Sequence, residues 1–108
     1  MAAPGFDWDR GNRDKCRKHS VSIAEIESVF DGAVTIVPDE HHSFGELRLR
    51  AIGRATSGRH VFVVFTLRSR GGNELIRPLS ARYMHRKEIV TYEKANPDLE
   101  KDSDLPDR

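Results

Sequence analysis

A chain of 108 residues, 37% apolar and 32% charged, has the size of one domain and the composition of a soluble globular protein rather than a disordered one. No run approaches the roughly 20 apolar residues of a membrane span, the opening MAAPGFDWDRGN lacks the basic flank and apolar core of a secretory signal, and one cysteine, Cys16, excludes an internal disulfide or a cysteine zinc site and fits the cytoplasm. The net charge of +1 hides an asymmetry: from Asn96 onward five acids face Lys101 and Arg108, a net of −3, which leaves the body at +4, a balance that suits a polyanionic partner.

Phe6-Asp7-Trp8 reads as a short extended arm whose two rings pack. Asn12 to Lys18 is expected to be a short polar helix. The stretch from Arg10 to His19 sets Arg10, Arg13, Lys15, Arg17 and Lys18 against Asp14 alone, either a nucleic-acid patch or a solvated helix face. Ser22-Ile23-Ala24-Glu25 is a capping box, and Ile23, Ile26, Val29 and Phe30 follow at helical spacing, so one stripe faces a core. Asp31-Gly32 ends that helix.

Val34 to Val37 is a first strand, stopped by Pro38. Asp39 to Gly45 is a polar loop holding His41-His42. From Glu46 to Ile52 the chain alternates, Leu47, Leu49 and Ala51 inward, Glu46, Arg48 and Arg50 outward, as a half-buried strand does. After a turn at Ser57-Gly58, His60 to Leu67 is apolar on both faces, a central strand covered at least in part on both sides. Arg70 to Asn73 is a hairpin turn. Glu74 to Ser80 is the next strand, where Pro78 marks an edge or a bulge. Tyr83 to Ala95 is a last helix that buries Met84, Ile89 and Tyr92. The order implies an α+β fold: N-terminal helices, an antiparallel sheet of about four strands and a C-terminal helix, with the helices against one sheet face. Residues 1–95 form the single domain, and 96–108 an acidic tail expected to be disordered.

Several of these segments, taken together, resemble the BrnT family of toxins. They are Trp8-Asp9 through Lys18-His19-Ser20-Val21, Glu25 with Val29-Phe30-Asp31, Gly45-Glu46-Leu47-Arg48 with Ile52-Gly53-Arg54, Val63 to Arg68, Ile76 to Arg82, Arg86-Lys87-Glu88 and Tyr92-Glu93. The resemblance implies a RelE-like fold and a type II toxin that cleaves RNA independently of the ribosome, without a cofactor. It also implies a ribbon-helix-helix antitoxin resembling BrnA, with operator DNA bound only through the complex. Three features depart from the family pattern. Asn12 stands where many members have lysine, and if that lysine serves catalysis Lys15 or Lys18 would have to replace it; the interval from Trp8 to His19 is one residue shorter; and Ser20 stands where glycine is usual.

Metal-free RNA cleavage needs a base for the 2′-hydroxyl, cations for the phosphate oxygens and an acid for the leaving oxygen. Arginine suits the cation role through its planar fork. Arg82, in the Ser-Ala-Arg motif that the resemblance singles out, is the first candidate; its alternative role is an ion pair to Glu46 or Glu88. Arg68 and Arg77 follow, and Arg77 lies beside Arg68 only if the register across Gly71-Gly72 is tight. Glu46 is the candidate carboxylate, base or ion-pair partner, and His19 the candidate acid or base or a helix-end cap. Lys15, Arg17, Lys18, Arg48, Arg50 and His85 are candidate RNA contacts. His41-His42 lacks a third ligand at suitable spacing, so no metal is expected, and Cys16 reads as a small buried residue. The alternative is a non-catalytic nucleic-acid-binding or protein-interaction module on the same fold.

Overall fold

A computed structural model describes residues 5–39 and 46–95; His41-His42 and the 96–108 tail lie outside the described residues. Helix α1 (Arg10–Cys16) starts at Asp9, whose carboxylate accepts from the Asn12 N–H while the Asn12 side chain accepts from the Asp9 N–H. This is a capping box built from Asp and Asn. A 3-10 turn, Arg17–His19, continues it, and Ser20 closes the turn at φ 70°. The Ser22–Glu25 capping box starts α2 (Ile23–Val29) as expected.

The strands are β1 (Val34–Pro38), β2 (Leu49–Arg54), β3 (His60–Arg70) and β4 (Asn73–Tyr83), and α3 (Arg86–Ala95) ends the described chain. They form one antiparallel sheet in the order β1-β2-β3-β4, so the α+β expectation holds. Gly71 and Gly72, both at positive φ, join Arg70 to its partner Asn73; only such a two-residue turn matches the twist of the strands it links.

One sheet face carries the core. Ala51, Val61, Val63, Phe65, Ile76 and Ala81 meet Cys16, Val21, Ile26 and Val29 there. Phe6, Phe30 and Phe65 stack edge-to-face at 5.7 and 5.2 Å between centroids, the geometry that ring quadrupoles favour. Trp8 packs at the rim and donates to Glu27 at 2.9 Å.

The helices do not share one face, contrary to the sequence reading. Tyr92 of α3 reaches the opposite face, where its hydroxyl meets Thr35 at 3.2 Å and donates to the Ile52 carbonyl at 3.3 Å, and its ring edge lies 6.0 Å from His60. The cause is β3 itself. Val61, Val63 and Phe65 fill one side, while Phe62 and Val64 leave apolar surface on the other that also has to be shielded from water.

Two boundaries differ as well. β2 begins at Leu49, not Glu46: Leu47 is 60% exposed, and its carbonyl accepts the Thr66 hydroxyl at 2.6 Å instead. β4 runs on to Tyr83 because Ala81 and Tyr83 still pair with Val63 and Val61, so the last helix starts at Arg86.

β4 contains a bulge. Val64 pairs with Ser80 and Phe65 with Pro78, which leaves Leu79 unpaired. Its outer edge is covered. Ile76 donates to Gly5 at 3.0 Å, Asp7 donates to Ile76 at 2.8 Å, and the Asn12 amide donates to Pro78 at 2.9 Å. The Pro78 carbonyl faces this outer side, so its missing N–H costs the β3–β4 ladder nothing. Among the described residues no helix is long and apolar enough to cross a membrane.

Candidate functional site

Two depressions lie along β4, one lined in part by α1 and the other by the 3-10 turn that continues it. The first, of about 440 Å³, sits at the C-terminal end of β4 and is lined by His19, Arg59, Arg82, Tyr83, Met84 and His85. His19 arrives from the end of the 3-10 turn and Arg59 from the β2–β3 hairpin. Arg82 pairs across the ladder with Phe62, and its guanidinium stands 4.7 Å over that ring. Its fork closes on both Glu88 oxygens at 2.7 and 2.8 Å. Glu88 also accepts the His85 N–H at 2.9 Å. The Arg82 bond first, and then the His85 N–H, hold the Glu88 carboxyl down at about 2; the same bond raises Arg82. The floor is equally organised. The Tyr83 hydroxyl donates to Glu25 at 2.6 Å, and the Arg59 guanidinium carbon stands 3.4 Å from the Tyr83 ring centroid. That hydrogen bond lowers the Glu25 carboxyl and raises the Tyr83 phenol.

The second depression, of about 560 Å³, surrounds the bulge; Lys15, Arg48, Arg77, Asp39 and Ser80 supply its polar lining. Arg77 is only 16% exposed at its side chain and binds Asp9 at 2.8 Å and Asp7 at 3.4 Å. Arg70 adds a contact to Asp7 at 3.2 Å. Arg77 thus ties the start of α1 to β4 beneath the groove. The Asn12 N–H, and after it Arg77, hold the Asp9 carboxyl below its ordinary value. Asp39 is buried and faces Arg50 at 3.5 Å.

The expected residues divide between places. Arg82, His19 and His85 share the first depression. Arg77, Lys15 and Arg48 share the second. Arg68 pairs with Glu46 at 3.1 Å, both about two-fifths exposed. The tight hairpin does make Arg68 and Arg77 diagonal neighbours, since Arg68 pairs with Leu75 and Arg77 with Thr66. Their side chains then diverge to different carboxylates. Six residues of β3 separate Arg68 from Phe62, the partner of Arg82, a span of about 20 Å at strand rise, so the three arginines do not converge on one phosphate.

The N-terminal cation run is also divided. Arg17 is exposed and pairs with Asp14 at 3.5 Å, and Lys18 lines neither depression. Lys15 lies one turn beyond Asn12 on the same helix face, so of the two lysines it is the one that reaches the groove. Asn12 is buried, with its amide donating to Asp7 at 3.0 Å as well as to Pro78. Arg50 stands 6.0 Å over the Phe62 ring. Cys16 is fully buried, and burial pushes its thiol up to about 11.

Sequence reasoning missed Arg59, Tyr83 and Asn12. Only Asn12 left a signal, the Asp-x-x-Asn spacing of a capping box; Arg59 meets Tyr83 through a hairpin whose position no local pattern gives. Among the described residues no group of three or more His, Cys, Asp or Glu side chains is placed to hold a metal ion. A search of curated proteins returns no match to the chain. A family model described as the ribonuclease toxin, BrnT, of a type II toxin-antitoxin system matches residues 8–88, and the chain belongs to that family.

Proposed function

We propose that this protein is a ribosome-independent endoribonuclease toxin whose reaction takes place at the end of β4. The 2′-hydroxyl of RNA attacks the adjacent phosphorus, leaving a 2′,3′-cyclic phosphate and a 5′-hydroxyl, and no metal enters the step. The observation that carries this reading is that His19, His85 and Arg82 line one depression. The two imidazoles, side chains able both to take and to give a proton, divide the roles. One removes the 2′-hydroxyl proton and the other protonates the departing 5′ oxygen. Arg59 and Arg82 face the phosphate oxygens, where positive charge is needed most as the pentacoordinate state forms. The Arg82 fork already holds a two-oxygen anion, and the phosphate takes the place of Glu88 on it. Arg68, Glu46 and Arg77 lie outside this depression and act in binding or in holding the fold. Residues 1–95 work as one domain in the cytoplasm. A type II antitoxin silences it, in this reading a ribbon-helix-helix protein that also supplies the contacts to operator DNA.

One observation favours the alternative of a non-catalytic nucleic-acid-binding module: Arg82 is engaged by Glu88 in the free chain. Incubation of the purified protein with total RNA in chelator, followed by end-group analysis, separates the two. The enzyme yields cyclic-phosphate and 5′-hydroxyl ends, and His19→Ala and His85→Ala each lower the rate by about 10²-fold or more. A binding module retards RNA on a gel and produces no new ends.

A further inference from the structure

We propose that the groove at the β4 bulge is a second phosphate subsite, which holds the backbone of single-stranded RNA through Lys15 and Arg48 a few nucleotides from the bond that is cut. The assignment rests on the ribonuclease reading for the identity of the ligand, and on three observations for its place and charge.

The first is electrostatic. Among the described residues, Lys15, Arg48 and Arg77 line the groove against one carboxylate, Asp39, and that carboxylate is buried beside Arg50. Arg77 is committed to Asp7 and Asp9. Lys15 is exposed, and no carboxylate among the described residues lies within ion-pair distance of it. An ammonium held at the mouth of a concave surface is a point charge ready for a phosphate oxygen.

The second is continuity. α1 and the 3-10 turn run alongside β4, with Asn12 and Lys15 beside Arg77 to Ser80 and His19 beside Arg82. Four residues of β3 separate the ladder partners of Arg77 and Arg82, about 13 Å at strand rise. One strand of RNA laid along β4 meets both depressions without bending across the sheet.

The third is the wall. Val64 and Leu79 give the groove an apolar side and Ser80 a hydroxyl. The unpaired Leu79 of the bulge forms part of this wall. A cavity of about 560 Å³ with one apolar wall and a cationic rim accommodates a nucleotide, base against Val64 and Leu79 and phosphate toward Lys15 and Arg48.

The test uses the full chain and fluorescein-labelled 2′-O-methyl RNA, which lacks the attacking hydroxyl and is therefore bound but not cut. Affinity for a dinucleotide and for a hexanucleotide is measured by anisotropy over a salt series. The wild type is expected to bind the hexamer about ten-fold more tightly than the dimer, and Lys15→Ala to shrink that gain to about three-fold with a salt slope lower by about 0.7, the value for one lost phosphate contact on a single strand. Arg48→Ala is expected to act in the same direction. Thermal melting of each variant shows that it is folded, and Lys15→Glu, a surface change, substitutes if Arg48→Ala does not fold. The inference is overturned if the length gain and the slope are unchanged in Lys15→Ala. It is equally overturned if the wild type shows no length gain while an acidic peptide binds the groove and is lost in Lys15→Ala, which assigns the surface to a protein partner. Because no cleavage is needed, a wild type that binds with the expected length gain but cuts no RNA removes the ribonuclease chemistry and leaves the subsite standing.

Discussion

The sharpest prediction concerns Asn12, the side chain that joins three segments. Its amide donates to the Pro78 carbonyl at 2.9 Å and to the Asp7 carbonyl at 3.0 Å, and its oxygen accepts from the Asp9 N–H at 2.7 Å. The residue is 4% exposed, so water replaces little of this. Asn12→Ala leaves two carbonyls and one N–H without their partner. The Pro78 carbonyl is the most enclosed, and stranding one buried group costs about 1–3 kcal/mol; the lost half of the capping box adds about 1 kcal/mol. A total of about 2–4 kcal/mol follows, which corresponds to a melting temperature lower by about 8–30 °C for a domain of this size. Urea unfolding followed by the fluorescence of the single Trp8 measures it directly, with the midpoint expected to fall at unchanged slope. Asn12→Asp keeps the acceptor for Asp9 but turns an anionic oxygen toward two carbonyls. It should be at least as damaging at pH 7, and should recover in part as the pH falls and the new carboxyl gains a proton it can donate. A loss below about 1 kcal/mol for Asn12→Ala would refute the claim that this amide closes the β4 edge.

The Arg82–Glu88 pair is about one-third exposed on each side, so it is worth no more than about 1 kcal/mol. Because the folded carboxyl is held at about 2 against an ordinary 4.5, that contribution is complete above the ordinary value and disappears as the pH falls from there toward 2; the stability difference between wild type and Glu88→Gln, measured across pH, should follow that course. Cys16, with its thiol pushed up to about 11 by burial, should resist alkylation at pH 8 in the native protein and react at once in urea. Ser20 adopts φ 70°, a conformation that is costly for a side-chain-bearing residue, so Ser20→Gly should raise stability by about 0.5–1 kcal/mol, read as a higher urea midpoint.

Much of the sheet was legible because burial imposes period-two alternation, as at Leu49 and Ala51, because the run from His60 to Leu67 is apolar on both faces as a central strand requires, and because Gly71-Gly72 admits few turns. The side of the sheet that α3 covers was not. That helix is held by the Tyr92 hydroxyl and the Glu88 carboxylate rather than by a continuous apolar stripe, and Val90 remains 44% exposed, so periodicity carries little information about it. Site residues were legible as types and not as groups. Arg82, His19 and Arg77 stand out in the sequence, but which of them share a depression depends on how α1 lies against β4, and that is fixed by Asn12, Asp7 and Asp9. The step of the register at Leu79 falls in the same category: Pro78 marked the neighbourhood without giving the residue.

That uncharged leucine decides the direction of two charges. Along an uninterrupted strand, positions separated by an odd number of residues point to opposite sides, and Arg77 and Arg82 are five apart. The one unpaired position between them turns odd into even, so their ladder partners, Thr66 and Phe62, lie on one side of β3. Removing Leu79 would swing one guanidinium into the layer that holds Val63 and Phe65, and the cationic line along the strand would break in the middle.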